Sequence, residues 1–230
     1  MHVKRSGQSA RSGWPSQAVG GYLDIVPRFR SYLLVLLRFV GFLLVLSAEF
    51  YVIGELSPRF NAATHFGYFT VLSNIFAALV LAAGVLVPVP GTVRGASVLY
   101  MVTTGIVYAG LLSGIDTQTP PYANWVFHVA VPFLVAVDWL LDPPLEHIPM
   151  RQALGWLAFP LAYLVITLAR GQLIHWYPYP FLDPREEGYG TVAIMSTLIA
   201  TALCLLTLLI VKVGNSMGGA ERPVTRAPRR

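Results

Sequence analysis

Six long apolar stretches run through the chain, each separated from the next by prolines, glycines and charged residues. A helix needs roughly 20 mostly apolar residues to cross the hydrocarbon core of a bilayer. Six segments reach that length: 31–54, 66–87, 95–114, 122–141, 152–169 and 190–211. The pattern therefore predicts an all-α integral membrane protein, a bundle of six transmembrane helices.

Breakers and charged residues mark the five connections between these segments. The connections are 55–65, 88–94, 115–121, 142–151 and 170–189. The first segment is too long for a signal peptide, and no small-x-small cleavage site follows it, so we expect it to be retained. Residues 1–30 and 214–230 are rich in Ser, Gly and Arg, which predicts disordered basic tails around a membrane domain of residues 31–213.

The composition supports this interpretation. Of the 230 residues, 55% are hydrophobic and 12% are charged, whereas about a quarter of a soluble domain is charged. The net charge of +5 is concentrated at the chain ends, which is typical of membrane topology and does not indicate a nucleic-acid partner. A single cysteine, Cys204, cannot build a disulfide framework.

The basic residues also predict the orientation, because Lys and Arg concentrate on the cytoplasmic side of membrane proteins. Twelve of the 16 lie before the first predicted span, after the last one (212–230) or in the connections 88–94 and 142–151. With six spans, both tails must lie on the same side. We therefore expect a multi-pass protein of the cell membrane with cytoplasmic N- and C-termini.

Charged or titratable side chains inside a bilayer are costly and mark functional candidates. Four fall clearly within the predicted spans: Arg38, Glu49, His128 and Asp138. Arg38 and Asp138 both lie toward the cytoplasmic end, so an ion pair is the simplest explanation for them. Glu49 and His128 lie in the outer half.

A layer of polar side chains is predicted at one depth in that outer half. At about 1.5 Å per helical residue, its members lie roughly 6–9 Å below the outer boundary. They are Glu49, Thr70, Tyr108 and His128. Asn74 and Asn124 lie one helical turn from Thr70 and His128, on the same helix faces. Pro132, which has no N–H, should also free the carbonyl of His128. Together these residues predict a pocket that opens toward the outer leaflet.

Each of these residues also has a structural explanation. A threonine in a membrane helix usually bonds its own backbone, and a buried histidine is able to link two helices by a hydrogen bond. The chain has no Gly-x-Ser-x-Gly or His-Glu-x-x-His motif and no phosphate-binding loop. Because His128 is the one histidine in a predicted span, we expect neither a metal nor another cofactor.

Three short segments carry a resemblance to a known family. They are FGYFTVLSN at 66–74, NWVFH at 124–128 followed by Pro132, and WYPYPF at 176–181. With them, the chain resembles, over about residues 30–212, the family of the androgen-induced protein and the androgen-dependent TFPI-regulating protein. These are six-span lipid hydrolases. The chain departs from the animal pattern at Ser73 and Asn74, where more apolar residues are usual.

The resemblance implies hydrolysis of fatty-acid esters of hydroxy fatty acids by a threonine in the second helix and a histidine in the fourth, which correspond to Thr70 and His128. In such a mechanism the histidine removes the proton of the threonine nucleophile. Asn74 or Tyr108 would stabilise the oxyanion, and Glu49 or Asn124 would orient the imidazole. A belt of Trp176, Tyr177 and Tyr179 would lie at the entrance for a membrane lipid or amphiphilic ester. The alternative is a small transporter or a lipid-binding membrane protein without enzymatic activity.

Overall fold

The structure is a computed structural model that describes residues 17–115 and 119–218. By its contacts the chain divides into two units, residues 1–33 and 34–230. In the first unit, the described residues belong to the start of helix α1 (Gln17–Leu56). Residues 17–30, expected to be disordered, are thus helical, since a nucleated helix extends at little cost per residue. The remainder of both predicted tails lies outside the described residues, apart from 214–218, which are also helical.

Six helices in the described part of the chain are long and apolar enough to cross a membrane. They are Ser31–Leu56, Phe69–Leu86, Gly91–Leu112, Pro121–Leu141, Met150–Ile174 and Pro184–Gly218, referred to below as the first to sixth spans. No strand occurs among the described residues. The predicted fold, an all-α membrane protein of six helices, is confirmed.

The connection between the first two spans contains a short helix, α2 (Ala62–His65). Asn61 caps it, because its Oδ1 accepts the N–H of Ala63 at 2.9 Å and the N–H of Thr64 at 3.3 Å. Such a cap satisfies donors that have no partner within the helix. The second span, α3 (Phe69–Leu86), begins four residues after α2 ends.

The third and fourth spans each contain a π-helical turn. In the third, α4 (Gly91–Val107) continues into a π-turn at Tyr108–Leu112. In the fourth, α5 (Pro121–Trp125) passes through a π-turn at Val126–Ala130 into α6 (Val131–Leu141). Turns of this kind inside helices are rare and are frequent at functional sites.

The fifth and sixth spans complete the bundle. The fifth comprises α7 (Met150–Leu154), a 3₁₀ turn at Gly155–Leu157 and α8 (Ala158–Ile174). A second 3₁₀ turn, Pro180–Leu182, precedes α9 (Pro184–Gly218). The helix α9 is interrupted at Gly188, which has φ 77°, a conformation that glycine adopts without strain. The continuous part of the sixth span therefore starts close to residue 190, as predicted.

The predicted pair of Arg38 and Asp138 is confirmed, and it belongs to a larger network. Arg38 Nε lies 2.7 Å from Asp138 Oδ1, and Arg38 Nη2 lies 2.6 Å from Asp142 Oδ2. Arg94 contacts the same two carboxylates at 2.9 and 3.0 Å. We expected Arg94 in a connection, but it belongs to the first turn of α4, which begins at Gly91. The side chain of Arg94 is buried. The network lies at the end of the bundle opposite Thr70 and His128.

Candidate active site

Thr70 is the second residue of α3. The first N–H groups of a helix have no partner within it, and here two tyrosines accept them. Tyr163 OH lies 3.2 Å from the N–H of Phe69, and Tyr179 OH lies 3.3 Å from that of Thr70. The Thr70 hydroxyl is buried at the positive end of the helix dipole, where negative charge is stabilised.

His128 faces Thr70 from the π-turn of the fourth span. Its Nδ1 lies 3.0 Å from the backbone oxygen of Asn124, and its Nε2 lies 3.4 Å from Thr70 Oγ1. A carbonyl oxygen only accepts hydrogen bonds, so Nδ1 carries a proton, and in the neutral imidazole the lone pair of Nε2 points to the threonine. The structure thus brings together the two residues that depth and the resemblance both indicated, with the imidazole in the tautomer of a base.

Asn124 and Tyr108 fix the imidazole from two sides. The rings of Tyr108 and His128 stack with centroids 4.0 Å apart and an interplanar angle of 19°. Asn124 Nδ2 donates to Tyr108 OH at 2.6 Å. Asn124 therefore orients the histidine as predicted, through its backbone carbonyl, while its side chain holds the stacked tyrosine.

Asn74 does not fit its predicted role as an oxyanion donor. Its Nδ2 donates to the carbonyl of Thr70 at 2.9 Å and to that of Phe127 at 3.3 Å, so both amide protons are used. The Phe127 carbonyl has no donor within its own helix, because the N–H of Val131 bonds the carbonyl of Val126 and Pro132 has no N–H. Asn74 is instead a buried link between the second and fourth spans.

Pro132 was predicted to free the carbonyl of His128. In the π-turn a carbonyl is bonded by the N–H five residues later, so Pro132 also leaves the Phe127 carbonyl without a helical donor. The His128 carbonyl faces Gly105, where a Cβ would come within 3.1 Å of it. A glycine at that position allows the third span to approach the fourth closely.

Glu49 does not orient His128. Its Oε2 lies 2.6 Å from His65 Nε2, and both side chains are largely buried. Glu49 lies at a depth similar to that of Thr70, but its carboxylate points to His65 in α2. His65 was missed because it lies in a connection, and a four-residue helix has too few residues to show periodicity. The cap residue Asn61 was the one local sign that a helix begins there.

Tyr179 lies inside the site and not at its entrance. Its hydroxyl is 3.3 Å from Thr70 Oγ1 as well as from the Thr70 N–H, and its side chain is buried. Burial raises the pKa of Tyr179, so the hydroxyl keeps its proton. The segment WYPYPF signalled that this connection matters, but no periodic pattern places a side chain of a connection in depth.

Trp176 and Tyr177, predicted to lie at the entrance, are half-buried and less enclosed than Tyr179. Trp176 packs edge-on against Tyr68, with ring centroids 5.6 Å apart, and the guanidinium of Arg170 lies 4.9 Å from its ring centre. The guanidinium of Arg185 lies 5.4 Å from the ring centre of Tyr177. Both aromatic residues line the larger cavity described next.

Two cavities of different character meet at Thr70. One has a volume of about 800 Å³, is lined by many charged and polar side chains, and includes His128 in its wall. The other has a volume of about 490 Å³ and an almost wholly apolar lining from the second, third, fifth and sixth spans. Thr70, Leu112 and Tyr179 line both. A ligand with one polar and one apolar part would therefore place its junction beside the Thr70 hydroxyl.

The described residues contain no group of three His, Cys, Asp or Glu side chains arranged to hold a metal ion. The chemistry that the site supports with its own groups is proton transfer and nucleophilic attack by a hydroxyl. Comparisons of the chain with protein-family models, with curated proteins and with solved structures found no match.

Proposed function

We propose that this membrane protein is an intramembrane hydrolase of lipid esters, with Thr70 as nucleophile and His128 as base. One observation carries the proposal. The Nε2 of His128 lies 3.4 Å from Thr70 Oγ1, while the backbone carbonyl of Asn124 lies 3.0 Å from the opposite ring nitrogen, Nδ1, and accepts its proton. Catalytic contacts in unliganded sites are often this long and shorten when substrate binds.

In the proposed reaction His128 takes the hydroxyl proton as Thr70 Oγ1 attacks the ester carbonyl. The tetrahedral intermediate then collapses, the bond to the alcohol oxygen breaks, and His128 returns the proton to the leaving alcohol. The same imidazole then takes a proton from a water molecule as the water oxygen attacks the acyl carbon. The bond to Thr70 Oγ1 breaks, that oxygen receives the proton from His128, and the fatty acid leaves.

Tyr179 is the strongest candidate for the oxyanion donor. Its protonated hydroxyl lies 3.3 Å from the nucleophile, and the positive end of the α3 dipole points the same way. Tyr108, predicted for this role, has an oxygen that accepts from Asn124 and a ring that stacks on His128, so both parts of the side chain are already engaged. A preorganised donor of this kind contributes roughly 3–4 kcal/mol to the transition state.

The cavities support an amphiphilic substrate drawn from the membrane, and the resemblance implies fatty-acid esters of hydroxy fatty acids. A small transporter or a lipid-binding protein would use the same cavities. Binding alone does not require a base whose tautomer is fixed against a hydroxyl, so the contact between Thr70 and His128 favours the hydrolase. We also propose that the protein lies in the cell membrane with both termini on the cytoplasmic side. In that orientation the site would open at the outer leaflet.

The direct test is hydrolysis of long-chain esters by the purified protein. Thr70→Ala and His128→Ala should each abolish turnover while the protein still folds in detergent, because each removes half of the pair and little volume. Thr197→Ala, on an exposed helix face, and His147→Ala, exposed in a connection at the other end, are matched controls that should keep full activity. Near-normal turnover by either site variant would remove that residue from its role.

A further inference from the structure

The apolar cavity is open on one side to the lipid that surrounds the bundle. Leu161 is 63% exposed and Leu154 is 53% exposed, and both line the cavity from the fifth span. Cys204, which lines it from the sixth span, is exposed as well. Because both spans are membrane helices, exposed side chains at this depth meet hydrocarbon. The cavity is therefore a groove, as it is called below, that the lipid of the bilayer reaches directly.

The opening of the groove lies between the fifth and sixth spans, and the third span forms its floor. The third span is the most buried of the six, and its residues Thr103 and Thr104 line the groove. The two walls carry exposed alanines, Ala158 in the fifth span and Ala200 in the sixth. An alanine projects only a methyl group from its helix, so these positions leave room for a hydrocarbon chain between the two spans.

The groove begins at the candidate nucleophile. Thr70 lines it, and the hydroxyl of Tyr163 in the fifth span lies 3.2 Å from the N–H of Phe69, so Tyr163 and its neighbour Leu164 are at the level of Thr70. Leu154, farther along the same wall, is separated from Tyr163 by about 14 Å of helix. An acyl chain whose carbonyl lies at Thr70 Oγ1 therefore finds an apolar lining along this whole length.

We infer that the gap between the fifth and sixth spans is the entrance through which the acyl chain of a lipid ester moves sideways from the bilayer to Thr70. The inference rests on the proposed hydrolase function and adds the route and the final position of the acyl chain. A chain that enters here passes from one apolar environment to another, so its surface is not exposed to water on the way. The larger, charged cavity meets the groove at Thr70, and the polar part of the ester and the hydrolytic water lie on that side.

An alkyl chain attached at residue 70 tests the chain position without turnover. Cys204 is the single cysteine of the chain, so Thr70→Cys/Cys204→Ser protein in nanodiscs carries one thiol. That thiol displaces methanesulfinate from an alkyl methanethiosulfonate that bears a diazirine at its far end. Illumination should then join a butyl probe to residues near Leu164 and a hexadecyl probe to residues near Leu154, because these two levels of the groove are about 14 Å apart. Mass spectrometry of the digested protein identifies the joined residues.

Three results of this experiment would overturn the inferred position. The first is a hexadecyl probe joined to Ile166, which is exposed in the fifth span and lines neither cavity, since the chain would then lie outside the groove. The second is a probe joined to residues of the charged cavity, such as Arg59. The third is a photoproduct that joins two copies of the protein, because a second copy and not lipid would then cover the opening.

Turnover tests the entrance itself. Ala200→Trp fills the gap, so it should lower kcat/KM for p-nitrophenyl palmitate at least about tenfold and that for the water-soluble acetate, which reaches Thr70 through the charged cavity, less than about twofold. The matched control is Ala162→Trp, at an exposed position of the fifth span that lines neither cavity, and it should change neither value. Equal loss on both esters, or no loss on either, would overturn the entrance and leave the hydrolase intact. Probe attachment near Leu154 without turnover of either ester by the wild type would support the chain position and overturn the hydrolase.

Discussion

The Tyr179 hydroxyl is the site group whose removal tests the proposed oxyanion donor most directly. Tyr179→Phe deletes one oxygen and keeps the ring, which stacks on Phe181 with centroids 5.2 Å apart. Two interactions disappear with that oxygen: its contact with Thr70 Oγ1 and its acceptance of the Thr70 N–H.

The two losses have different magnitudes and appear in different measurements. Loss of an oxyanion donor lowers kcat by about 10²–10³-fold, with little change in KM because the ground state does not use it. Loss of the acceptor leaves a buried N–H without a partner, which costs about 1–3 kcal/mol of stability. The variant should therefore be both less stable and far slower, and the rate loss should persist in fully folded protein.

Tyr163→Phe is the matched control. Tyr163 OH accepts the N–H of Phe69 at 3.2 Å and donates to the carbonyl of Gly67 at 2.9 Å, and it has no hydrogen bond to Thr70 in the structure. This variant should lose a similar amount of stability but less than tenfold in kcat. Both variants would be compared by kcat and KM on one ester and by the midpoint of unfolding in detergent.

The reasoning fails if Tyr179→Phe retains kcat within threefold of the wild type, because Tyr179 would then be a structural acceptor for the start of α3. It also fails if Tyr163→Phe loses as much kcat as Tyr179→Phe. In that case the position of the helix start, and not a hydroxyl beside the nucleophile, would govern the rate.

Two further predictions concern the bundle. Arg38→Met and Asp138→Asn should each destabilise the protein in detergent by about 2–4 kcal/mol and together by less than their sum, with turnover per folded molecule unchanged; additive effects would show that the two charges do not interact. Cysteines introduced at residues 10 and 225 of a cysteine-free variant should be labelled from the cytoplasmic face alone, and labelling by an impermeant reagent in intact cells would overturn the orientation.

Position along a membrane helix is the part of the structure that the sequence predicts well. The length of each span follows from the thickness of the bilayer, so counting residues from a span end places a side chain in depth. Counting residues from the span ends predicted that Thr70 and His128 lie at one depth and that Arg38 and Asp138 lie at another. In both pairs the structure shows a contact.

The direction in which a side chain points is not fixed by depth. Glu49 has the depth of Thr70 but contacts His65, because the rotation of the first span about its axis is decided by packing. Asn74 has the right depth and lies near the site, yet its protons go to two backbone carbonyls. One of those carbonyls is free only because of a π-turn, which no hydrophobic periodicity reveals.

Counting along the spans gave no reliable depth for side chains in the connections or at their borders. Tyr179, His65 and Arg94 each form a buried polar contact, and each was assigned to a connection or to its border. A connection has no regular rise per residue, so counting gives no depth. The resemblance in WYPYPF was the one signal that this stretch takes part in the site.

Hydrolysis inside a membrane requires a place that both a lipid chain and water reach, and the start of the second span provides it. A nucleophile in mid-span would meet the acyl chain but not water, and one in a connection would meet water but not the chain. Thr70 is the second residue of its helix, and it borders both the charged cavity and the apolar one. The same position leaves the Thr70 N–H without a helical partner, and the Tyr179 hydroxyl that accepts it thereby also lies beside Thr70 Oγ1. In the proposed hydrolase, placement at a helix start would therefore account both for the access of lipid and water and for the hydroxyl that would serve as the oxyanion donor.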